Sequence, residues 1–203
     1  LVQMFNESAR GFLKKYSDGA IVSHTVNIIG IGESSVAEEI EDMFDAKNPT
    51  VAPYAKSGEV RLRITAKAET ADEADKMCAP VVDEICSRLG DVVYGTDMNS
   101  IEERVVALLK EKGKKIATAE SCTAGYIPKR LTDIPGASEV FECGIVSYSN
   151  DIKTKLLGVS LKTLDTYGAV SEQTAREMAL GAKHVSGADI AISTTGLAGP
   201  GGD

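Results

Sequence analysis

The sequence predicts an α/β chain of two units: a small α+β unit over residues 20–97, then a three-layer α/β/α unit over 98–203. Three observations carry this. Residues 59–67 alternate Val60, Leu62, Ile64 and Ala66 with Arg61, Arg63, Thr65 and Lys67. That period of two marks a sheet with one wet face. Up to about Asp97 the elements run helix, strand, helix, two strands, helix, strand. Beyond residue 99 strands and helices alternate, as in a sheet covered on both faces.

Residues 1–17 place Val2, Phe5, Ala9, Phe12, Leu13 and Tyr16 on one helical stripe, and residues 1–19 read as a linker or the end of an upstream domain. Ala20 to Gly30 is β-branched and apolar, a strand broken at Gly32. Ser34 or Ser35 caps a helix whose inner face is Val36, Ile40, Met43 and Phe44. Asn48-Pro49 marks a turn before strands at 50–54 and 59–67. Thr70 with Glu73 makes a capping box for a helix to about Leu89, and Val92 to Tyr94 is a last strand.

In the second unit, Ser100 and Glu103 cap a helix that ends at Gly113. Ile116 to Thr118 is a strand and Ser121 to Leu131 a helix. Phe141 to Tyr148 contains a strand, two short helices follow, Ser171 and Thr174 open a helix to about Val185, and Ala188 to Thr194 is another strand. The chain starts at Leu1 and stops at Asp203 after a Gly-Pro-Gly-Gly loop, so both ends read as cuts and the second unit is expected to be truncated.

Apolar content of 43% with 26% charge is ordinary for a soluble domain, and no apolar run approaches bilayer length. No basic, then apolar, signal segment opens the chain, so a cytoplasmic location is expected. Cys78, Cys86, Cys122 and Cys143 form no CxxC pair and have no nearby His. They read as free thiols, and neither a metal nor a cofactor is expected. Residues 1–98 carry 10 basic and 17 acidic side chains against 12 and 13 in residues 99–203. An acidic first half repels phosphate backbones, which argues against nucleic acid.

Three segments could carry chemistry. Ala119-Glu120-Ser121-Cys122-Thr123-Ala124-Gly125 lies between a strand and a helix, where ligands gather in open α/β folds. Alone, it reads more simply as a helix with Ser121 at its N-cap. The two histidines, His24 and His184, are badly placed for a Ser-His-Asp triad, which leaves a lysine or tyrosine as base. Tyr148-Ser149-Asn150-Asp151-Ile152-Lys153 offers both, although spacing alone favours a half-buried tyrosine and a solvated lysine. Thr194-Thr195-Gly196-Leu197-Ala198-Gly199-Pro200 follows a strand, and its glycines would let amides converge on an anion.

Taken in order, these segments resemble the C-terminal domain of the CinA (competence/damage-inducible) family. The resemblance rests on residues 119–125, 144–153 (Gly-Ile-Val-Ser-Tyr-Ser-Asn-Asp-Ile-Lys), Leu157-Gly158-Val159, Gly168-Ala169-Val170-Ser171-Glu172 and 195–200. Residues 20–97 resemble the KH-like middle domain of long CinA proteins. The resemblance implies an amidohydrolase that converts nicotinamide mononucleotide to nicotinate mononucleotide and ammonia. It puts the nucleophile at Ser121, assisted by Tyr148 and Lys153. Substrate contacts fall on Cys122, Thr123, Gly125, Asn150, Thr195, Gly196, Ala198 and Gly199. The oxyanion would be held by amides of Cys122 or Thr123 at the helix start. Ala124 departs from the family, which usually has a second glycine there; a negative φ would accommodate its methyl.

The partners expected are therefore a small-molecule nucleotide and a second copy in a homodimer, with neither nucleic acid nor membrane. The rival reading is a non-catalytic domain that binds a pyridine nucleotide or phosphate, joined to a structural linker domain. A second rival, RNA binding by the KH-like unit, meets a net acidic charge and only Gly30-Ile31-Gly32 in place of a Gly-x-x-Gly loop.

Overall fold

The computed structural model describes residues 2–13, 19–56, 58–197 and 199. The chain divides into two compact units, Leu1–Asn99 and Ser100–Asp203.

The first unit opens with short helices α1 (Val2–Met4) and α2 (Arg10–Leu13) joined by a π-helical stretch, Phe5–Ala9. The expected stripe is not buried: Val2, Phe5, Phe12 and Leu13 are all exposed. Tyr16 lies outside the described residues. An antiparallel sheet follows, ordered β2-β3-β1-β4 from β1 (Ala20–Ile29), β2 (Thr50–Lys56), β3 (Glu59–Ala68) and β4 (Val93–Thr96). Helix α3 (Glu33–Glu39) joins β1 to β2, and α4 (Ala71–Leu89) joins β3 to β4. The two-residue period of β3 sends Val60, Leu62, Ile64 and Ala66 into the core. There they pack with Val26, Ile28, Val36, Ile40 and Ile85. On the opposite face, Arg63 stacks over Tyr54 at 4.7 Å. The Thr70–Glu73 capping box forms as expected and opens α4. The α3 helix begins earlier than predicted: Gly32 is its N-cap, and neither Ser34 nor Ser35 caps it.

His24 lies on the core face of β1, two residues before Val26, at the rim where α4 starts. Its Nδ1 is 2.6 Å from Asp97 Oδ2 and its Nε2 is 2.9 Å from Asp75 Oδ1. Asp97, in the left-handed region at φ 55°, also accepts the Thr25 N–H at 2.7 Å. The ring thus ties β1 to both α4 and the exit from β4.

The second unit is a parallel sheet ordered β6-β5-β7, from β5 (Ile116–Glu120), β6 (Phe141–Val146) and β7 (Ile190–Thr194). Central β5 is buried along its whole length, so it shows no alternation with a wet face. Ile116 faces α5 (Ile101–Glu111) and α6 (Tyr126–Thr132), where Val106, Leu109 and Leu131 pack. Ala119 faces the other side and α7 (Asn150–Leu157), α8 (Leu161–Tyr167) and α9 (Glu172–Ser186), through Leu157, Leu164, Met178 and Ala182. This is the three-layer α/β/α arrangement. Among the described residues no helix is long and apolar enough to cross a membrane.

The connection after β5 turns to one face of the sheet and that after β6 to the other. The carboxyl ends of these neighbouring strands therefore open a crevice between diverging loops.

The carboxylates hold the His24 pKa above its ordinary value, Asp97 first and then Asp75. Burial would raise the Asp97 pKa, but its bonds from His24 and the Thr25 N–H prevail and lower it. The histidine's contribution is complete below about pH 6.5 and is lost as pH rises through its folded pKa; that of Asp97 is present above about pH 4 and lost as pH falls. We therefore expect the stability difference between wild type and His24→Gln, measured by urea unfolding, to be largest between about pH 4 and 6.5 and to shrink above.

Candidate active site

All three segments singled out in the sequence meet at the carboxyl edge of the parallel sheet. Ser121 directly follows β5, Ser147 and Tyr148 follow β6, and Thr195 follows β7. The ladder continues past the strand ends: Ser121 N–H donates to Thr194 O at 3.0 Å, and Ser147 N–H to Glu120 O at 2.7 Å. The backbone of Ser121 is therefore pinned from both sides.

Lys153 reaches this edge from α7, whose N-cap Ser149 accepts the Ile152 N–H at 3.3 Å. It is 1% exposed and is the largest fully buried side chain among the described residues. The solvated lysine suggested by spacing alone is thus replaced by a buried one. Its Nζ lies 3.0 Å from Ser121 Oγ, 2.8 Å from Ser147 O and 3.1 Å from Tyr148 O. An ammonium has three N–H donors, and these are three acceptors. A neutral amine in the same place would give its two hydrogens to the two carbonyls and turn its lone pair to the serine hydroxyl. Burial favours that neutral form and lowers the Lys153 pKa; the neighbouring Cys122 acts in the opposite sense.

Ser121 is 7% exposed and is not a helix cap. The helix expected to begin there begins at Tyr126 with Gly125 as N-cap, and residues 121–125 form a turn. The turn closes through Ala124 N–H to Ser121 O at 3.2 Å and Tyr126 N–H to Thr123 O at 3.0 Å. Among the described residues, the Cys122 and Thr123 N–H groups donate to no protein acceptor. They belong to the turn and not, as expected, to a helix end.

The turn needs two left-handed residues in succession, Ala124 at φ 51° and Gly125 at φ 97°. The φ of Ala124 is positive, opposite to the condition under which its methyl would sit without cost. A non-glycine residue in this region costs about 1–2 kcal/mol because Cβ crowds the carbonyl oxygen. A glycine at position 124 would carry no such cost.

The other expected site residues divide. Thr123 Oγ1 is 2.6 Å from Thr194 Oγ1, which ties the turn to the end of β7. Gly196 lies against Cys122: a Cβ there would come within 3.2 Å of the thiol sulfur. Thr195 Oγ1 donates to Ala169 O at 2.7 Å, so its hydroxyl is spent on the loop before α9. Asn150 is exposed on the first turn of α7, and Gly199 has φ 131°. Ala198 lies outside the described residues. Tyr148 is not half-buried but 72% exposed. Among the described residues its phenol is bonded to neither Ser121 nor Lys153, and only its carbonyl joins the cluster.

Two contributors carried no role in the sequence reading. Ser147 supplies a carbonyl to Lys153. Glu120, wholly buried, accepts the Gly125 and Ile127 N–H groups on Oε2 at 3.2 and 3.3 Å. A carboxylate closing an otherwise small, apolar strand was the available signal. No group of His, Cys, Asp and Glu able to hold a metal occurs among the described residues.

Fold and site together define a three-layer α/β domain with a buried serine–lysine pair, preceded by a KH-like domain. Residues 98–203 match the family model described as the CinA C-terminal domain, and residues 23–95 that of the damage-inducible protein CinA KH domain. The chain belongs to the CinA family. It is 48% identical over 202 residues to a "CinA-like protein" of Desulfovibrio desulfuricans, covering 100% of this chain and 48% of that one. A "CinA-like protein" of Dictyoglomus turgidum is 47% identical over 203 residues, covering 100% and 49%. The chain thus spans about half the length of the curated relatives it matches. A solved structure of a CinA superfamily protein from Klebsiella pneumoniae is similar with a TM-score of 0.50 and 37% identity, covering 51% of this chain and 64% of that one.

Relief of the left-handed strain outweighs the extra chain entropy of glycine, about 0.4–1 kcal/mol. Ala124→Gly is therefore expected to stabilise the second unit by about 0.5–1 kcal/mol in denaturant unfolding, and any destabilisation would contradict the strain argument.

Proposed function

We propose that the second unit hydrolyses the carboxamide of nicotinamide mononucleotide to nicotinate mononucleotide and ammonia, with Ser121 as nucleophile and Lys153 as its base. The observation that carries this reading is the buried Lys153 amine, bonded to Ser121 Oγ with both remaining donor positions taken by main-chain carbonyls. The substrate comes from the family resemblance; the reaction class comes from the pair.

The neutral amine takes the Ser121 proton as Oγ attacks the carboxamide carbon. The tetrahedral oxygen is held by the Cys122 and Thr123 N–H groups, which are fixed beforehand and so need no reorganisation when charge develops. Lys153, now an ammonium, returns its proton to the departing nitrogen, and ammonia leaves an acyl ester on Ser121. Water, deprotonated by the same amine, attacks the ester; as the acyl–oxygen bond breaks, Lys153 passes that proton to Ser121 Oγ and the nicotinate product leaves. Tyr148 acts through its carbonyl, which helps aim the amine, and its phenol is not required for proton transfer.

Ser121→Ala should abolish ammonia release from nicotinamide mononucleotide while leaving nucleotide binding in place, as measured by calorimetry. Turnover that survives this change would remove the serine from the mechanism. Lys153→Met should lose at least about 1,000-fold in kcat, and Tyr148→Phe less than about 10-fold. A loss in the phenylalanine variant as large as in the methionine variant would return the phenol to the proton path.

The lysine must be neutral to act. Activity should therefore rise with pH along a limb that lies below the ordinary lysine value, because burial lowers the Lys153 pKa. A limb at the ordinary value in the kcat/KM profile would contradict its role as base.

A further inference from the structure

The turn that carries Ser121 does not hold its shape unaided. It contains a left-handed alanine followed by a left-handed glycine, and a non-glycine residue persists in that conformation only when surrounding contacts over-determine it. Thr123 Oγ1 ties the turn to Thr194, and one further side chain reaches its left-handed glycine and the start of the helix. Glu120 is 0% exposed, and its Oε2 accepts from Gly125 N–H, in the second left-handed residue, and from Ile127 N–H, in the first turn of α6. Its main-chain carbonyl meanwhile accepts the Ser147 N–H, and the Ser147 carbonyl in turn holds Lys153. Glu120 thus sits between nucleophile and base, braced to both without touching either side chain.

Its burial sharpens the point. A wholly buried carboxylate is costly unless its bonds repay it, and among the described residues Oε1 of Glu120 has no protein partner. The same two N–H groups could have been capped by a serine or threonine at smaller cost, as Ser100, Ser149, Ser160 and Ser171 cap their own helices. A longer acidic side chain is what lets the strand residue before the nucleophile reach across the whole turn.

We infer that Glu120 is a positioning residue for the Ser121 turn: its carboxylate holds residues 124–127 so that the Ser121 hydroxyl faces Lys153 and the Cys122 and Thr123 N–H groups point together. The inference rests on the proposed serine chemistry, though not on nicotinamide mononucleotide being the substrate.

The test therefore pairs two readouts in the full chain: ammonia release from nicotinamide mononucleotide, and the rate at which a small sulfonyl fluoride modifies Ser121, followed by mass spectrometry. Glu120→Met keeps the volume and removes the acceptor. It should lower kcat and the labelling rate on the order of 100-fold, with KM nearly unchanged and the Lys153 pH limb unmoved. Glu120→Gln keeps an oxygen for both N–H groups and should restore most of the loss. Ala124→Gly placed in the Met variant should recover several-fold, because glycine adopts the left-handed turn without a brace. A folded Met variant that labels Ser121 at the wild-type rate overturns the inference, and so does a recovery absent from both the Gln and the Gly variants. Should the Met variant fail to fold, amide hydrogen exchange in the wild type decides. Slow exchange at Gly125 and Ile127 beside fast exchange at Cys122 and Thr123 supports the brace, and equally fast exchange at all four overturns it. If the wild type labels at Ser121 but releases no ammonia, the substrate assignment fails and the positioning role is still decided by labelling.

Discussion

The second unit is organised around one buried amine. A lysine with 1% exposure is expensive to keep, and its cost is met by two backbone carbonyls and one serine hydroxyl. Each of those acceptors belongs to a strand end, so the sheet must be in register for the lysine to be buried at all. The pairing of β5 with β6 places Glu120 opposite Val146, and this alignment brings Ser121 and Ser147 side by side. Parallel strands deliver their carboxyl ends to one edge, and the helix returning from β6 lays Lys153 across it. The pair is a product of topology first and of side chains second.

The crevice also bears on the loops after β5 and β7, which both carry glycine. Loops after β5 and β6 leave toward opposite faces, so each must turn at once. At β5 that demand falls on Ala124 and Gly125, and at β7 on Gly196, where the Cys122 sulfur leaves little room for a side chain. Local strain near the serine is thus coupled to the close approach of three loops. The stability given up at Ala124 is recovered by the buried β5 strand and the helical layers on either side of it.

Much of this was legible in the sequence. The period of two in residues 59–67 identified β3 and its buried face, because each side chain's environment alternates with the backbone pleat. The capping pairs Thr70–Glu73 and Ser100–Glu103 marked true helix starts, because the signal is local. The three segments singled out in the sequence meet at one edge of the sheet, where Lys153 reaches Ser121 across 32 positions of chain. Three things were not legible. Lys153 read as solvated, since nothing local tells a buried lysine from an exposed one. Tyr148 read as a chemical group, yet its carbonyl is what the geometry uses, and a main-chain role leaves no trace in residue type. Ser121 read as a cap because strand–serine–helix is ambiguous between a cap and a turn; the choice was made by Glu120, whose carboxylate reaches past the serine to the first helical amides.

The serine–lysine chemistry proposed for the second unit requires that burial lower the Lys153 pKa, so that a neutral amine can accept the Ser121 proton. Its most direct test is a titration of the Lys153 side chain itself in the folded protein, followed through the 13Cε chemical shift and assigned by comparison with Lys153→Met. The expected midpoint lies clearly below that of the protein's exposed lysines. A Lys153 that titrates together with them would show that the amine is an ordinary cation at rest, and would contradict the serine–lysine mechanism.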